Sequence, residues 1–116
     1  MKTEIVHVNG IDIAHRWDGN KNGPVIMMAH AMGTSSQIWD LQIDALSDQY
    51  HILRYDWRGH GQTDASTAPY TLDQFVEDAV GTMNALKLER VHWVGISTGG
   101  MIGQGLAIKY QERLSS

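Results

Sequence analysis

Three short apolar runs recur along the chain, VIMMA at 25–29, HILRY at 51–55 and VHWVG at 91–95, and each is followed by apolar residues at helical spacing. Continuous apolar runs of this length suit strands buried on both faces. Strands that alternate with helices imply a mostly parallel sheet joined by right-handed crossovers. Ligand sites in such sheets lie at the carboxyl ends of the strands, so the loops after these three runs are where chemistry is expected.

The intervening segments agree with that layout. Over 37–46, Ile38, Trp39, Leu41, Ile43, Ala45 and Leu46 recur at helical intervals, with Ser36 placed to cap the helix. Thr71-Leu72-Asp73-Gln74 reads as a capping box, after which Leu72, Phe75, Val76, Ala79, Val80, Met83 and Leu86 share one face. Thr98 to about Tyr110 reads as a third helix despite its four glycines. Ahead of these units, Thr3–Val8 and Ile11–Trp17 flank Asn9-Gly10, the dipeptide that best tolerates a type I′ hairpin turn, and 18–24 is turn chemistry. The expected fold is a single α/β domain over residues 1–116, an antiparallel hairpin followed by parallel strands with helices on both faces.

Composition narrows the function classes. A net charge of −4 with scattered lysines and arginines provides no footprint for nucleic acid. The absence of cysteine rules out thiolate metal sites, and the six histidines lack ligand spacing, so neither a metal nor a cofactor is expected. The opening MKTEIVHVNG has no signal-peptide core and no apolar stretch reaches about 18 residues. The expectation is a cytoplasmic protein without membrane contact.

Gly95-Ile96-Ser97-Thr98-Gly99 fits G-x-S-x-G between the third run and the third helix. A nucleophile elbow needs that context: a strand, a turn tight enough to demand small flanking residues at Gly95 and Gly99, and a helix whose N-terminus points at the serine. The turn lifts the hydroxyl clear of the sheet, and the Thr98 amide with the helix dipole stabilises an oxyanion. The competing reading makes the glycines packing devices and Ser97 a simple helix cap. The motif alone weighs the two equally.

The set HAMGTSSQIWDLQIDAL, ILRYDWRGHGQT, YTLDQFVEDAVGTMNAL and VHWVGISTGGMIGQGLAIKYQERL, in that order, resembles the N-terminal half of an α/β-hydrolase, in particular the 3-oxoadipate enol-lactonase-like esterases and lactonases. The resemblance covers about residues 5–114. It implies Ser97 as nucleophile, the backbone amides of Met32 and Thr98 as the oxyanion hole, His30 and Gly33 standing behind those amides, and a small ester or lactone as substrate. It also implies a structural role for Asp56, Arg58 and His60, although aspartate and histidine are what a catalytic triad uses. Ala31 stands where many members have glycine.

The same resemblance implies an acid and then a histidine later in the chain, yet only Glu112 and no histidine follow Ser97. Glu112, at the far end of the third helix, stands about 20 Å from Ser97 at about 1.5 Å per residue. A makeshift Ser97–His30 pair is the less favoured alternative to a His30 held by backbone bonds. In the family order the VHWVG strand is interior, whereas here nothing is expected to pair with its outer edge. The chain is therefore expected to be a truncated piece, one half of a split enzyme that needs a complementary C-terminal half, or a self-associating protein, and to be weak or inactive alone. The alternative from another class is a non-catalytic half-domain that binds through the exposed edge. Dehalogenases and epoxide hydrolases share the resemblance but use an aspartate nucleophile, which Ser97 disfavours; a cofactor-free oxygenase is a further possibility on this scaffold.

Overall fold

The computed structural model describes residues 2–67 and 69–116. The hairpin forms as its turn chemistry dictates: Asn9 and Gly10 take φ of 50° and 84°, joining β1 (Glu4–Val8) to β2 (Ile11–Gly19) in antiparallel register from Val8↔Ile11 to Glu4↔His15. Then come β3 (Val25–Ala29), β4 (His51–Tyr55) and β5 (His92–Gly95). The sheet order is β1-β2-β4-β3-β5. β2 meets β4 antiparallel, while β3 runs parallel to both β4 and β5. The switch in strand order leaves β3 between β4 and β5, so the loops leaving all three gather at one end of the sheet.

Helices cover both faces. α1 (Asp40–Leu46) lies on one side, where Ile26, Met28 and Ile52 pack with Trp39 and Ile43. α2 (Leu72–Ala85) and α3 (Thr98–Lys109) lie on the other, over Met27, Ala29, Leu53 and Tyr55. Alternate residues of β3 thus enter different cores, which is why the run has no polar position. Thr71 caps α2 as read, its Oγ1 accepting from the Gln74 amide at 3.1 Å.

Four details depart from the sequence reading. The segment before α1 is a 3-10 turn, Ser36–Trp39, and its cap is Ser35, whose Oγ accepts from the Gln37 amide. Ser36 is buried instead, with its amide donating to Asp56 Oδ1 at 2.8 Å. The 3-10 turn begins at Ser36, so the cap falls one residue earlier, and Asp56 accepts the Ser36 amide that the turn itself leaves without a partner. Leu41 is 90% exposed, outside the cluster that Ile38, Ile43 and Leu46 join, and Leu72, at the first position of α2, is 40% exposed.

β5 is the fourth departure: it is a half-buried edge strand rather than a buried one, and Val94 is 38% exposed. Its outer edge is not bare along its whole length. The last residues turn back beside it in parallel: Val91 bridges Leu114, the Val91 amide donates to Arg113 O, the Ser115 amide to Val91 O and the Trp93 amide to Ser116 O. Among the described residues that pairing stops at Trp93, and Gly95 borders an open groove of about 360 Å³ between α3 and the final residues.

Candidate active site

The turn from β5 into α3 is built by close packing. A Cβ on Gly95 would overlap the Gly99 carbonyl, and one on Gly99 would overlap the carbonyls of Ala29 and His30. Gly100 meets no such contact. With those two glycines the first turn of α3 settles directly on the backbone leaving β3, and Trp93 Nε1 ties the arrangement by donating to Gly99 O at 3.0 Å. The residue between them is forced into an unusual backbone state. Ser97 has φ 55° and ψ −117°, a region that non-glycine residues enter only when the surroundings over-determine it.

Ser97 is exposed and stands at the N-cap position of α3, yet its side chain makes no capping bond. Its carbonyl accepts the Met101 amide at 3.0 Å, and the Gly99 amide is held by Ile96 O at 2.9 Å. Among the described residues the Thr98 amide has no acceptor, and the same holds for Met32 in the β3 loop. Two amides without acceptors, on exposed Met32 and half-buried Thr98, therefore border the serine end of the sheet, one of them at a helix N-terminus.

The β3 loop is held by histidine rings. His30 is fully buried: its Nε2 accepts from the Trp57 amide at 3.2 Å, so Nδ1 carries the proton and donates to Ala31 O at 2.8 Å. Its ring stacks on Trp57, whose indole N–H donates to His30 O at 3.0 Å. Burial holds His30 below the ordinary histidine range, outweighing the Ala31 carbonyl and Asp56, which favour its cation. Both ring nitrogens are thus engaged by backbone groups.

The DWRGHG segment after β4 supports this loop. Asp56 accepts the amides of Ser36 at 2.8 Å and Gln62 at 3.0 Å, and a Cβ on Gly61 would overlap its carboxylate. Arg58 forms a buried two-point pair with Asp78 of α2, Nε to Oδ2 at 2.7 Å and Nη2 to Oδ1 at 2.9 Å. His60 Nε2 accepts the Gly33 amide at 3.0 Å. Gly33 takes φ 76°, which glycine tolerates; Ala31 is not among the residues with positive φ, so alanine fits where it stands. Sequence reasoning missed Thr34, whose hydroxyl donates to Ala31 O at 2.7 Å, because no motif marks it. Among the described residues no group of three His, Asp or Glu side chains is placed to hold a metal ion, and no helix is long and apolar enough to cross a membrane.

A family model described as alpha/beta hydrolase fold matches residues 24–116, four fifths of the chain. The chain belongs to the alpha/beta hydrolase fold family. It is 35% identical over 112 residues to 3-oxoadipate enol-lactonase 1 of Acinetobacter baylyi, covering 97% of this chain and 42% of that protein. The crystal structure of the enol-lactonase from Burkholderia xenovorans superposes with a TM-score of 0.93 at 38% identity, covering 96% of this chain and 44% of the other. An epoxide hydrolase from Vigna radiata superposes with a TM-score of 0.92 at 30% identity, covering 99% and 38%. The chain thus spans about two fifths of the length of these relatives. The resemblance read from the sequence is shown at the level of family and fold: these 116 residues match one portion of a longer hydrolase architecture.

Proposed function

We propose that this chain carries the nucleophile and the oxyanion hole of a carboxylic ester or lactone hydrolase. The observation that carries the reading is the conformation of Ser97: a non-glycine residue at φ 55°, between two glycines that admit no side chain, with its hydroxyl exposed and free of the cap it stands in. A serine that merely capped α3 would direct its oxygen at the amides of the first turn.

In the proposed reaction Ser97 Oγ attacks the substrate carbonyl carbon and gives its proton to a base. The carbonyl electrons move onto oxygen, and the amides of Met32 and Thr98 donate to that oxyanion, with His30 and Gly33 behind them. Collapse breaks the bond to the leaving oxygen, which takes up the proton, and leaves an acyl-serine; in a lactone both pieces stay on one molecule. Water then attacks the acyl carbon and restores Ser97. The likeness to the two enol-lactonases supports a lactone or a small ester as substrate.

The acid and the histidine that would activate Ser97 are assigned to polypeptide additional to these 116 residues. Glu112, in the 3-10 turn after α3, stands at the wrong end of that helix, and both ring nitrogens of His30 are engaged. The unpaired stretch of β5 and the groove beside it support the same reading, since a further strand there would extend the sheet. That polypeptide is a complementary segment or a second copy. A light-scattering mass that stays monomeric over a wide concentration range would remove the second copy.

A fluorophosphonate probe tests the nucleophile on the 116-residue chain, with imidazole added as an external base and the adduct read by intact mass. Labelling that disappears in Ser97→Ala supports the reading. No adduct on the wild-type chain in the presence of imidazole overturns it.

A further inference from the structure

Met32 is 65% exposed, and its side chain is not what directs its amide. The two peptide units on either side of its Cα are each pinned from elsewhere. On one side, the Ala31 carbonyl accepts three bonds, from His30 Nδ1 at 2.8 Å, Thr34 Oγ1 at 2.7 Å and the Thr34 amide at 3.2 Å. That carbonyl belongs to the same planar unit as the Met32 N–H, and in a trans peptide the two point in opposite directions. Three donors on the oxygen therefore aim the Met32 N–H away from His30 and Thr34 and polarise it as a donor.

On the other side, the Gly33 amide donates to His60 Nε2 at 3.0 Å. An amide is always the donor, so Nε2 carries the lone pair and Nδ1–H is left to donate to Arg58 O at 3.2 Å. The His60 ring lies 3.8 Å from Trp57 and 5.3 Å from His30, between centroids, so one indole backs both imidazoles. With both flanking planes held, the two dihedral angles of Met32 are set by anchors on either side of it.

We propose that His60 is a positioning residue for the oxyanion hole, acting with Thr34 and His30 to clamp the peptide units on either side of Met32. The GHG turn after β4 thereby governs the geometry of the β3 loop, and the histidine that a motif search offers as a base works as a fixed hydrogen-bond acceptor. The inference rests on the reading of Ser97 as nucleophile and Met32 as oxyanion donor, and it adds the His60 Nε2 lone pair to the contacts that hold the loop.

Two readouts on the 116-residue chain test it. Scalar coupling between the Gly33 amide nitrogen and His60 Nε2, which only a direct N–H···N bond transmits, is expected in the wild-type NMR spectrum. The rate of fluorophosphonate labelling at Ser97 with imidazole, corrected for the folded fraction, is expected to fall at least about tenfold in His60→Ala. His60→Gln, whose side-chain oxygen reaches the Nε2 position, is expected to recover most of that rate. Thr34→Val, which acts on the opposite side of Met32, is expected to slow labelling as well and carries the test if His60→Ala does not fold. Absence of the coupling, or wild-type rates in both His60→Ala and Thr34→Val, overturns the clamp and leaves the nucleophile in place. Coupling present with no wild-type labelling at all removes the nucleophile itself, and the clamp's catalytic meaning with it.

Discussion

The two loops that meet at the serine end of the sheet are held by different physics. The turn from β5 into α3 is governed by close packing: Gly95 and Gly99 leave no room for a Cβ, and Ser97 between them takes a positive φ. The loop after β3 is fixed by polar contacts, with ring nitrogens, a threonine hydroxyl and an aspartate holding named amides and carbonyls. A steric constraint fails all at once when an atom is added. A hydrogen-bonded constraint loosens one bond at a time, which makes it the one that substitution or acid can tune.

The largest expected effect comes from adding one methyl group to the steric loop. Gly99→Ala places a Cβ into the carbonyls of Ala29 and His30 and should cost about 3 kcal/mol or more. Urea unfolding measures this, and the matching change Gly100→Ala, where space is ordinary, should cost far less. Equal losses at the two positions would break the comparison.

Asp56→Ala strikes the polar loop at its most connected carboxylate and leaves the amides of Ser36 and Gln62 without acceptors. A loss of about 2–3 kcal/mol is expected from two bonds to a buried charge, read as a shift of the urea midpoint with an unchanged slope. Acidification should weaken the fold gradually, in this loop through His30 and in the strands through His15 and His51. His30 and His15 have folded-state values lowered by burial, as does the partly exposed His51. The unfolded chain therefore takes up protons first. Stability is complete above the ordinary histidine value of about 6.5 and is lost as pH falls below it. The urea midpoint should decline on going from about pH 7 to pH 5, and His15→Phe should flatten only part of that slope. A midpoint that rises on acidification contradicts the neutral, buried His30. The smallest effect is expected for Thr34→Val, which removes one of three donors to the Ala31 carbonyl and should cost about 1 kcal/mol.

Much of this contrast is legible in the residues. Gly95 and Gly99 announce a tight strand-to-helix turn because few other reasons place two glycines around a serine at that point. Asn9-Gly10 and Thr71 read correctly for the same local reason: a turn or a cap depends on its own few atoms. The polar loop is much less legible. The sequence places the cap at Ser36, whereas Ser35 takes it, and the Ser36 amide goes to the carboxylate of Asp56, 20 positions away, a partner no local pattern announces. His60 offers a base by its chemistry, and only its distance to the Gly33 amide makes it an acceptor. β5 carries the composition of an interior strand, while its place at the end of the strand order leaves Val94 exposed.

The sequence by itself determined the α/β alternation, the hairpin and the tight turn from β5 into α3, because each follows from the period of apolar residues, from a dipeptide that tolerates positive φ, or from positions where only a residue without a Cβ fits. The tertiary structure decided which side chain meets which amide. Those partners lie 20 to 30 positions apart along the chain, and a bond such as Gly33 N–H to His60 Nε2 exists only once parallel strands have brought two loops to the same end of the sheet.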